Sequence, residues 1–251
     1  MTEIERIIKK GVIPEEFLKE EVRNDFLVTT ERKKIWTVLL DLMLEFDAVC
    51  KKYGLTYFLE AGSLLGAIRH KGFIPWDDDV DVLMPRKDYQ RFVEMSSEFI
   101  FPYFLQTPYT DSGYFFSFVK IRNSNTTAVT KMFAYQNYNH GMWLSVFPID
   151  NWSVEGGEER YAKVKQLNMD NSTYMRISNP YLSERDIERV KNYSGRDPYE
   201  TIKELDCVAQ ECNNNPTEFV TVGSTAVISY SRKLWYAEDF SSAIEWDFEG
   251  F

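Results

Sequence analysis

Between Thr30 and Tyr53 the apolar residues Trp36, Leu39, Leu40, Met43, Phe46 and Cys50 return at helical spacing, the pattern of a helix that buries one face. Thr29 or Thr30 suits its N-cap, and Gly54 stands where a helix terminates. Thr56–Leu59 then reads as a short buried strand, and Ala61-Gly62-Ser63 as a turn into a helix over Leu64–His70. Gly72-Phe73-Ile74-Pro75 predicts a loop, since glycine and proline interrupt regular structure. It leads into Trp76-Asp77-Asp78-Asp79-Val80-Asp81-Val82-Leu83. A helix follows over about Lys87–Phe99. Aromatic and β-branched runs at Tyr103–Gln106, Tyr114–Arg122, Thr126–Met132 and Met142–Phe147 predict strands.

From Glu155 the chain turns polar and helix-prone, with helices expected near Glu158–Ser178, Ser183–Lys191 and Asp197–Asn213. The turn-rich Asn213-Asn214-Asn215-Pro216 precedes apolar segments around Phe219–Val222 and Ala226–Tyr230. The predicted organisation is an N-terminal extension over 1–30, an α/β (α+β) core with a mixed sheet flanked by helices over 31–154, and a mostly helical region over 155–251. A chain of 251 residues can bury such a core without disulfide or metal staples.

Charge narrows the function. A formal net charge of −10 excludes a broad nucleic-acid surface, which must neutralise phosphates with clustered Lys and Arg. A local group such as Arg69, His70 and Lys71 still suits a small phosphorylated ligand, or is a solvated turn. Cys50, Cys207 and Cys212 are too few and scattered for a disulfide framework, and a reducing compartment fits. The N-terminus lacks an apolar core of signal-peptide length, and no stretch approaches a membrane span of roughly 18–20 apolar residues. The expectation is a cytoplasmic protein without a transmembrane segment, free to associate peripherally with the inner membrane face. The aromatic share of 16% suits either packing or a groove that stacks a base or sugar.

The chemistry concentrates at Asp79 and Asp81. Alternation along a strand projects both carboxylates to one side while Val80 and Val82 pack inward. Two such acids repel unless a cation lies between them, and hard oxygen ligands favour Mg²⁺ or Mn²⁺. Upstream, the helix opened by Gly62 and Ser63 offers backbone N–H groups and a hydroxyl to phosphate oxygens. A metal would neutralise the same phosphate from the other side.

These residues lie in the run YFLEAGSLLGAIRHKGFIPWDDDVD, Tyr57 to Asp81, which closely resembles the signature of the LicD family. The likeness extends more loosely from about Glu20 to Asn151, through Pro102–Gln106, Lys120–Ser124 and Gly141–Asp150. The resemblance implies a nucleotidyltransferase-type core. It also implies transfer of a phospho-alcohol, such as phosphocholine or ribitol phosphate, from a CDP-linked donor to a glycan, glycolipid or teichoic-acid-like acceptor. Carried onto this sequence, Asp79 and Asp81 become metal ligands, Gly62 and Ser63 meet the diphosphate, and Lys120 and Arg122 contact phosphate. On the residues alone, Lys120 and Arg122 equally suit an exposed strand edge. Asp77 is a further acid or the base for the acceptor hydroxyl, with a solvated loop acid as the alternative. Trp76 either stacks on a sugar or base or closes the loop from the core.

Two departures accompany the resemblance. Ser145 stands where the family carries an aspartate resembling the third metal carboxylate of nucleotidyltransferases, and Asp150 is set on the opposite face by its odd spacing from Ser145. The segment Trp246–Phe251 resembles the start of a longer stretch in the family, so the C-terminal region is expected to be shortened. Two other readings therefore stand beside phospho-alcohol transfer: transfer of the nucleotidyl group to a small molecule or protein, and a catalytically weakened nucleotide-binding member.

Overall fold

In the computed structural model, which describes residues 1–224 and 234–251, the long N-terminal periodicity becomes α2 (Thr30–Tyr53). The Thr29 hydroxyl caps it, accepting from the Arg32 amide, and Gly54 ends it in the left-handed region at φ 60°, where a side chain would be strained. Trp36, Leu39, Leu40, Leu42 and Phe46 are fully buried along this helix.

Before α2 come α1 (Glu3–Lys9) and a hairpin of β1 (Glu21–Arg23) and β2 (Phe26–Val28). Ile7, Ile13 and Val28 of this N-terminal part enter the same hydrophobic core as α2. After it follow β3 (Phe58–Leu59), α3 (Ala61–His70), β4 (Asp81–Pro85), α4 (Arg86–Val93), β5 (Tyr103–Gln106), β6 (Val119–Asn123) and β7 (Met142–Trp152). Helices α5 (Gly157–Tyr174), α6 (Glu184–Lys191) and α7 (Pro198–Ala209) precede β8 (Phe219–Thr221) and β9 (Trp235–Tyr236).

The central sheet runs β3-β4-β7-β6-β5, with β8 joining the far end of β7 and β9 joining β8. Among the described residues only β4 and β7 pair in parallel; the other pairs are antiparallel. The predicted mixed α/β fold is thus the observed one. Val80, Val82, Met84, Val119, Ile121, Leu144 and Val146 pack with the α2 side chains in one core. Because strand side chains alternate, Asp81, Lys120, Arg122, Trp143 and Ser145 project to the opposite face. The fold therefore dedicates one sheet face to the core and part of the other to polar chemistry.

Several predicted elements change. Tyr114–Phe118 and Thr126–Met132 are irregular, apart from a single helical turn at Lys131–Phe133. The aromatic residues there pack by ring contacts, such as Phe116 on Phe133, and need no strand partner. Helix α4 stops at Val93, with a separate turn at Ser96–Glu98. The expected apolar segment at 226–230 lies outside the described residues. No described helix is long and apolar enough to cross a membrane.

Candidate active site

The site forms where β3, α3 and β4 meet. The Glu60 amide donates to the Asp81 carbonyl at 2.9 Å, and the Asp81 amide donates to the Ser63 hydroxyl oxygen at 3.0 Å. Asp81 is thereby fixed through both of its backbone polar groups, and the buried Ser63 side chain is turned toward β4. The Ser63 and Leu64 amides donate to the Glu60 carbonyl at 3.0 and 3.2 Å. Those two N–H groups, expected to be free for a ligand, are therefore used within the turn, because Ala61 takes a left-handed φ of 45° and tightens it.

Register carries the site across the sheet. Asp81 lies opposite Ser145 on β7, Ser145 opposite Lys120 on β6, and Lys120 opposite Gln106 on β5. In-register residues on neighbouring strands share a face, so Asp81, Ser145 and Lys120 form one row. The Asp81 carboxyl also hydrogen-bonds the Ser145 side chain.

Asp77 and Asp79 precede β4, which starts at Asp81, so Asp79 and Asp81 do not alternate along one strand as expected. The loop brings the acids together instead: the Asp79 carboxyl hydrogen-bonds the Asp77 side chain. Protein packed around Asp79, then the charges of Asp81 and Asp77, push its pKa up to about 7, although the residue is exposed. Burial also raises Asp81, opposed by the Ser145 hydrogen bond and the Lys120 charge and reinforced by Glu60. Both carboxyls hold protons more tightly than a free aspartate, chiefly because burial disfavours their charged forms.

The loop carrying Asp77 is anchored from four sides. Trp36 Nε1 donates to the Asp77 carbonyl at 2.9 Å, and the Arg32 guanidinium to the Trp76 and Asp77 carbonyls at 3.1 and 3.0 Å. Arg23 donates to the Phe73 carbonyl at 3.1 Å, while Glu249 accepts the Phe73 amide at 2.9 Å and pairs with Arg23 at 2.6 Å. On α3 the Asp77 carboxylate lies against Gly62, where a Cβ would come within 2.4 Å of Oδ2. Gly62 therefore works through close approach to Asp77. Trp76 is exposed, with one edge on Phe26; Trp36, stacked on Phe73, fills the core beneath the loop. The core alternative for Trp76 is thereby overturned.

Lys120 and Arg122 sit on an interior strand and are buried, which overturns the exposed-edge alternative. Arg122 Nε donates to Gln106 at 2.6 Å and its Nη1 to the Gly141 carbonyl at 2.5 Å, with the guanidinium over the Trp143 ring. Its donors thus brace β5 and β7. Lys120 makes no hydrogen bond or ion pair among the described residues; its Nζ lies 3.9 Å from the Trp143 ring centre. Burial, then Arg122, lowers its pKa to about 7. Arg69 and Lys71 are exposed at the far end of α3, about 9 and 12 Å along the axis from Ser63 at 1.5 Å per residue. They do not join the acidic cluster.

Asp150 is committed elsewhere. It forms a bidentate pair with Arg86, at 2.6 Å for both bonds, and accepts from Asn213. Glu60, buried beside Asp81, is the site residue that sequence reasoning missed. It continues the β3–β4 pairing by one position, and only that pairing reveals it. No cluster of three or more His, Cys, Asp or Glu among the described residues is arranged to enclose a metal. The donor set does fit Mg²⁺ or Mn²⁺ arriving with substrate, because Mg²⁺ typically takes one or two carboxylates and completes its shell with phosphate and water.

Residues 54–177 match the family described as LicD/FKTN/FKRP, nucleotidyltransferase domain. The chain is 57% identical over 58 residues to the lipopolysaccharide cholinephosphotransferase LicD of Haemophilus influenzae, covering 23% of this chain and 22% of that protein. It is 39% identical over 74 residues to an uncharacterised protein of Rickettsia prowazekii, or 30% of this chain and 26% of that one. It is 59% identical over 34 residues to the human ribitol 5-phosphate transferase FKRP, or 14% of this chain and 7% of that one. The matched segments thus span about a quarter or less of each relative.

Proposed function

We propose, from the premise that residues 54–177 are a LicD/FKTN/FKRP nucleotidyltransferase domain, that the chain transfers a phospho-alcohol from a CDP-linked donor to a glycan or glycolipid acceptor. The observation that carries this reading is the meeting of Asp77, Asp79 and Asp81 beside the α3 turn, where burial raises the pKa of both Asp79 and Asp81 and neighbouring carboxylates add to it. Asp79 and Asp81 would hold Mg²⁺ or Mn²⁺ on the diphosphate, and the cation supplies charge stabilisation for the departing CMP. The Ser63 hydroxyl and Glu60 amide fix where Asp81 stands. Asp77, whose backbone carbonyl is held by Trp36 and Arg32, would accept the acceptor hydroxyl proton. Exposed Trp76 offers a stacking face for a sugar or base at the loop tip. The proposal includes a cytoplasmic location, with glycolipid acceptors met at the inner membrane face.

CMP release from CDP-choline, CDP-ribitol and CDP-glycerol in the presence of an acceptor glycan tests the reading, with Asp79→Ala as comparison. The expected result is loss of roughly a hundredfold or more in the variant, as when one electrostatic stabiliser is removed. Undiminished turnover would sink the mechanism. Product mass separates the alternative nucleotidyl transfer, in which the acceptor would gain CMP. A second reading, ligand binding without turnover, draws on the neutral Ser145 beside Asp81. Tight CDP binding with no product, and activity appearing in Ser145→Asp, would favour it.

A further inference from the structure

We propose that the outward face of α3, with Trp246 beside it, docks on an anionic lipid bilayer. The inference extends the reading above by a surface and a partner, and it does not depend on turnover. Ser63, Gly66 and Ala67 face the protein, whereas Leu64, Leu65 and Ile68 are exposed. Residues four apart share a helix side, so Leu64 with Ile68, and Leu65 with the exposed Arg69, make one apolar stripe that ends in positive charge. Trp246 lies along its other edge: the indole N–H donates to the Ala67 carbonyl at 3.1 Å while the residue stays 55% exposed. That bond ties down the polar tip and leaves an apolar ring at the surface, the kind of side chain that membrane interfaces favour.

Charge selects the partner. The chain carries −10 overall, yet Arg69 and Lys71 at the end of the stripe make no ion pair among the described residues. Acids close by are directed elsewhere: Glu249 pairs with Arg23, Glu245 acts on Lys51 and Tyr57, and Asp247 accepts the Gly250 amide. The acids of the site stand at the opposite end of α3, where Asp77 meets Gly62. The 10 residues of α3 span about 15 Å. A face roughly 10 Å wide then offers on the order of 150 Å², far short of the roughly 800 Å² per partner of a stable protein interface. A bilayer needs no such area, because a short apolar face and basic side chains add their effects. Docked this way, α3 lies in the plane of the headgroups. Asp77 then stands about two helical turns from Arg69, at the surface where a glycolipid acceptor presents its headgroup.

The test is sedimentation of the full chain with vesicles of phosphatidylcholine, alone or mixed with phosphatidylglycerol. Binding is expected to the mixed vesicles and not to the neutral ones, and should weaken at high salt. Arg69→Gln with Lys71→Gln should weaken it roughly 25-fold, since each basic residue near an anionic surface contributes about fivefold. Ile68→Asn, at a side chain 60% exposed, should weaken it roughly tenfold without lowering the melting temperature. Brominated lipids should quench the tryptophan fluorescence, and less so in Trp246→Phe. Equal binding to both kinds of vesicle, no binding at all, or unchanged binding in the basic and Ile68 variants would overturn the inference. A dimer in solution that Ile68→Asn dissociates, without vesicle binding, would do the same and assign the face to a second copy. CMP release with a soluble acceptor but no vesicle binding would sink this inference alone. Vesicle binding without CMP release would leave it standing and sink the transferase reading. The lipid selectivity of the wild type decides the matter even if a variant fails to fold.

Discussion

The carboxylate of Asp77 occupies the space that a side chain at Gly62 would need: a Cβ there would lie 2.4 Å from Asp77 Oδ2. Gly62→Ala must therefore displace Asp77. The expected cost is about 1–3 kcal/mol, the range for overpacking, together with weaker Mn²⁺ binding. In an Asp77→Ala background the same change should cost far less. Urea unfolding of the double-mutant cycle checks this, and equal costs in both backgrounds would place the strain elsewhere.

Protonation of Asp79 gives a pH signature in metal-free protein. Its pKa is about 7 when folded and lies near the ordinary 3.8 when unfolded, so between those values the folded chain holds the extra proton. Stability therefore falls as pH rises from about 4 to 7. Asp79→Asn should remove that part of the slope, and saturating Mg²⁺ should flatten it in the wild type. Denaturant midpoints measured across this window, with and without Mg²⁺, provide the comparison. Parallel slopes for wild type and variant would contradict the assignment.

Lys120 makes the opposite prediction on the alkaline side. With a folded pKa near 7 against an ordinary 10.5, the amine is largely neutral at pH 8.5, and an arriving diphosphate would draw a proton onto it. CDP binding at pH 8.5 should take up protons from the buffer. Calorimetry in two buffers of different ionisation enthalpy measures the uptake, which should vanish in Lys120→Met.

Asp150 and Arg86 belong to the scaffold. Breaking this buried bidentate pair with Asp150→Leu should cost about 3–5 kcal/mol, because Arg86 is left with the half-exposed Asp206 alone, and Arg86→Met combined with Asp150→Leu should regain much of it. Mn²⁺ affinity should stay at the wild-type value in the double variant. A large loss of Mn²⁺ binding there would mean that Asp150 serves the site after all.

Local signals are legible in the chain. The 24 residues of α2, its Thr29 cap and its Gly54 terminus follow from helical spacing and capping chemistry, and α6 and α7 from similar cues. The acidic run and the Gly-Ser turn mark the site because their chemistry is unusual. What stays hidden depends on pairing. The β4–β7 register sets Ser145 beside Asp81, and the interior position of β6 turns Lys120 and Arg122 from edge residues into buried ones. Arg69 and Lys71 stand close to the site in sequence, yet a rigid helix carries them away from it. The aromatic run from Tyr114 to Phe118 misleads for a related reason, since Tyr114 and Phe116 pack ring against ring without joining a ladder.

The Phe73 peptide, gripped on one side by Arg23 and on the other by Glu249, ties this loop to a pair of side chains 226 positions apart in sequence. Such a closure is among the most non-local contacts the chain makes, and contacts of that kind carry a large entropic cost of closure. During synthesis the ribosome must deliver residue 249 before the loop bearing Asp77 gains its full set of anchors. A nascent chain can therefore build its sheet and bury α2 while the acidic loop still lacks one of its fastenings, a glutamate made long after the acids it steadies.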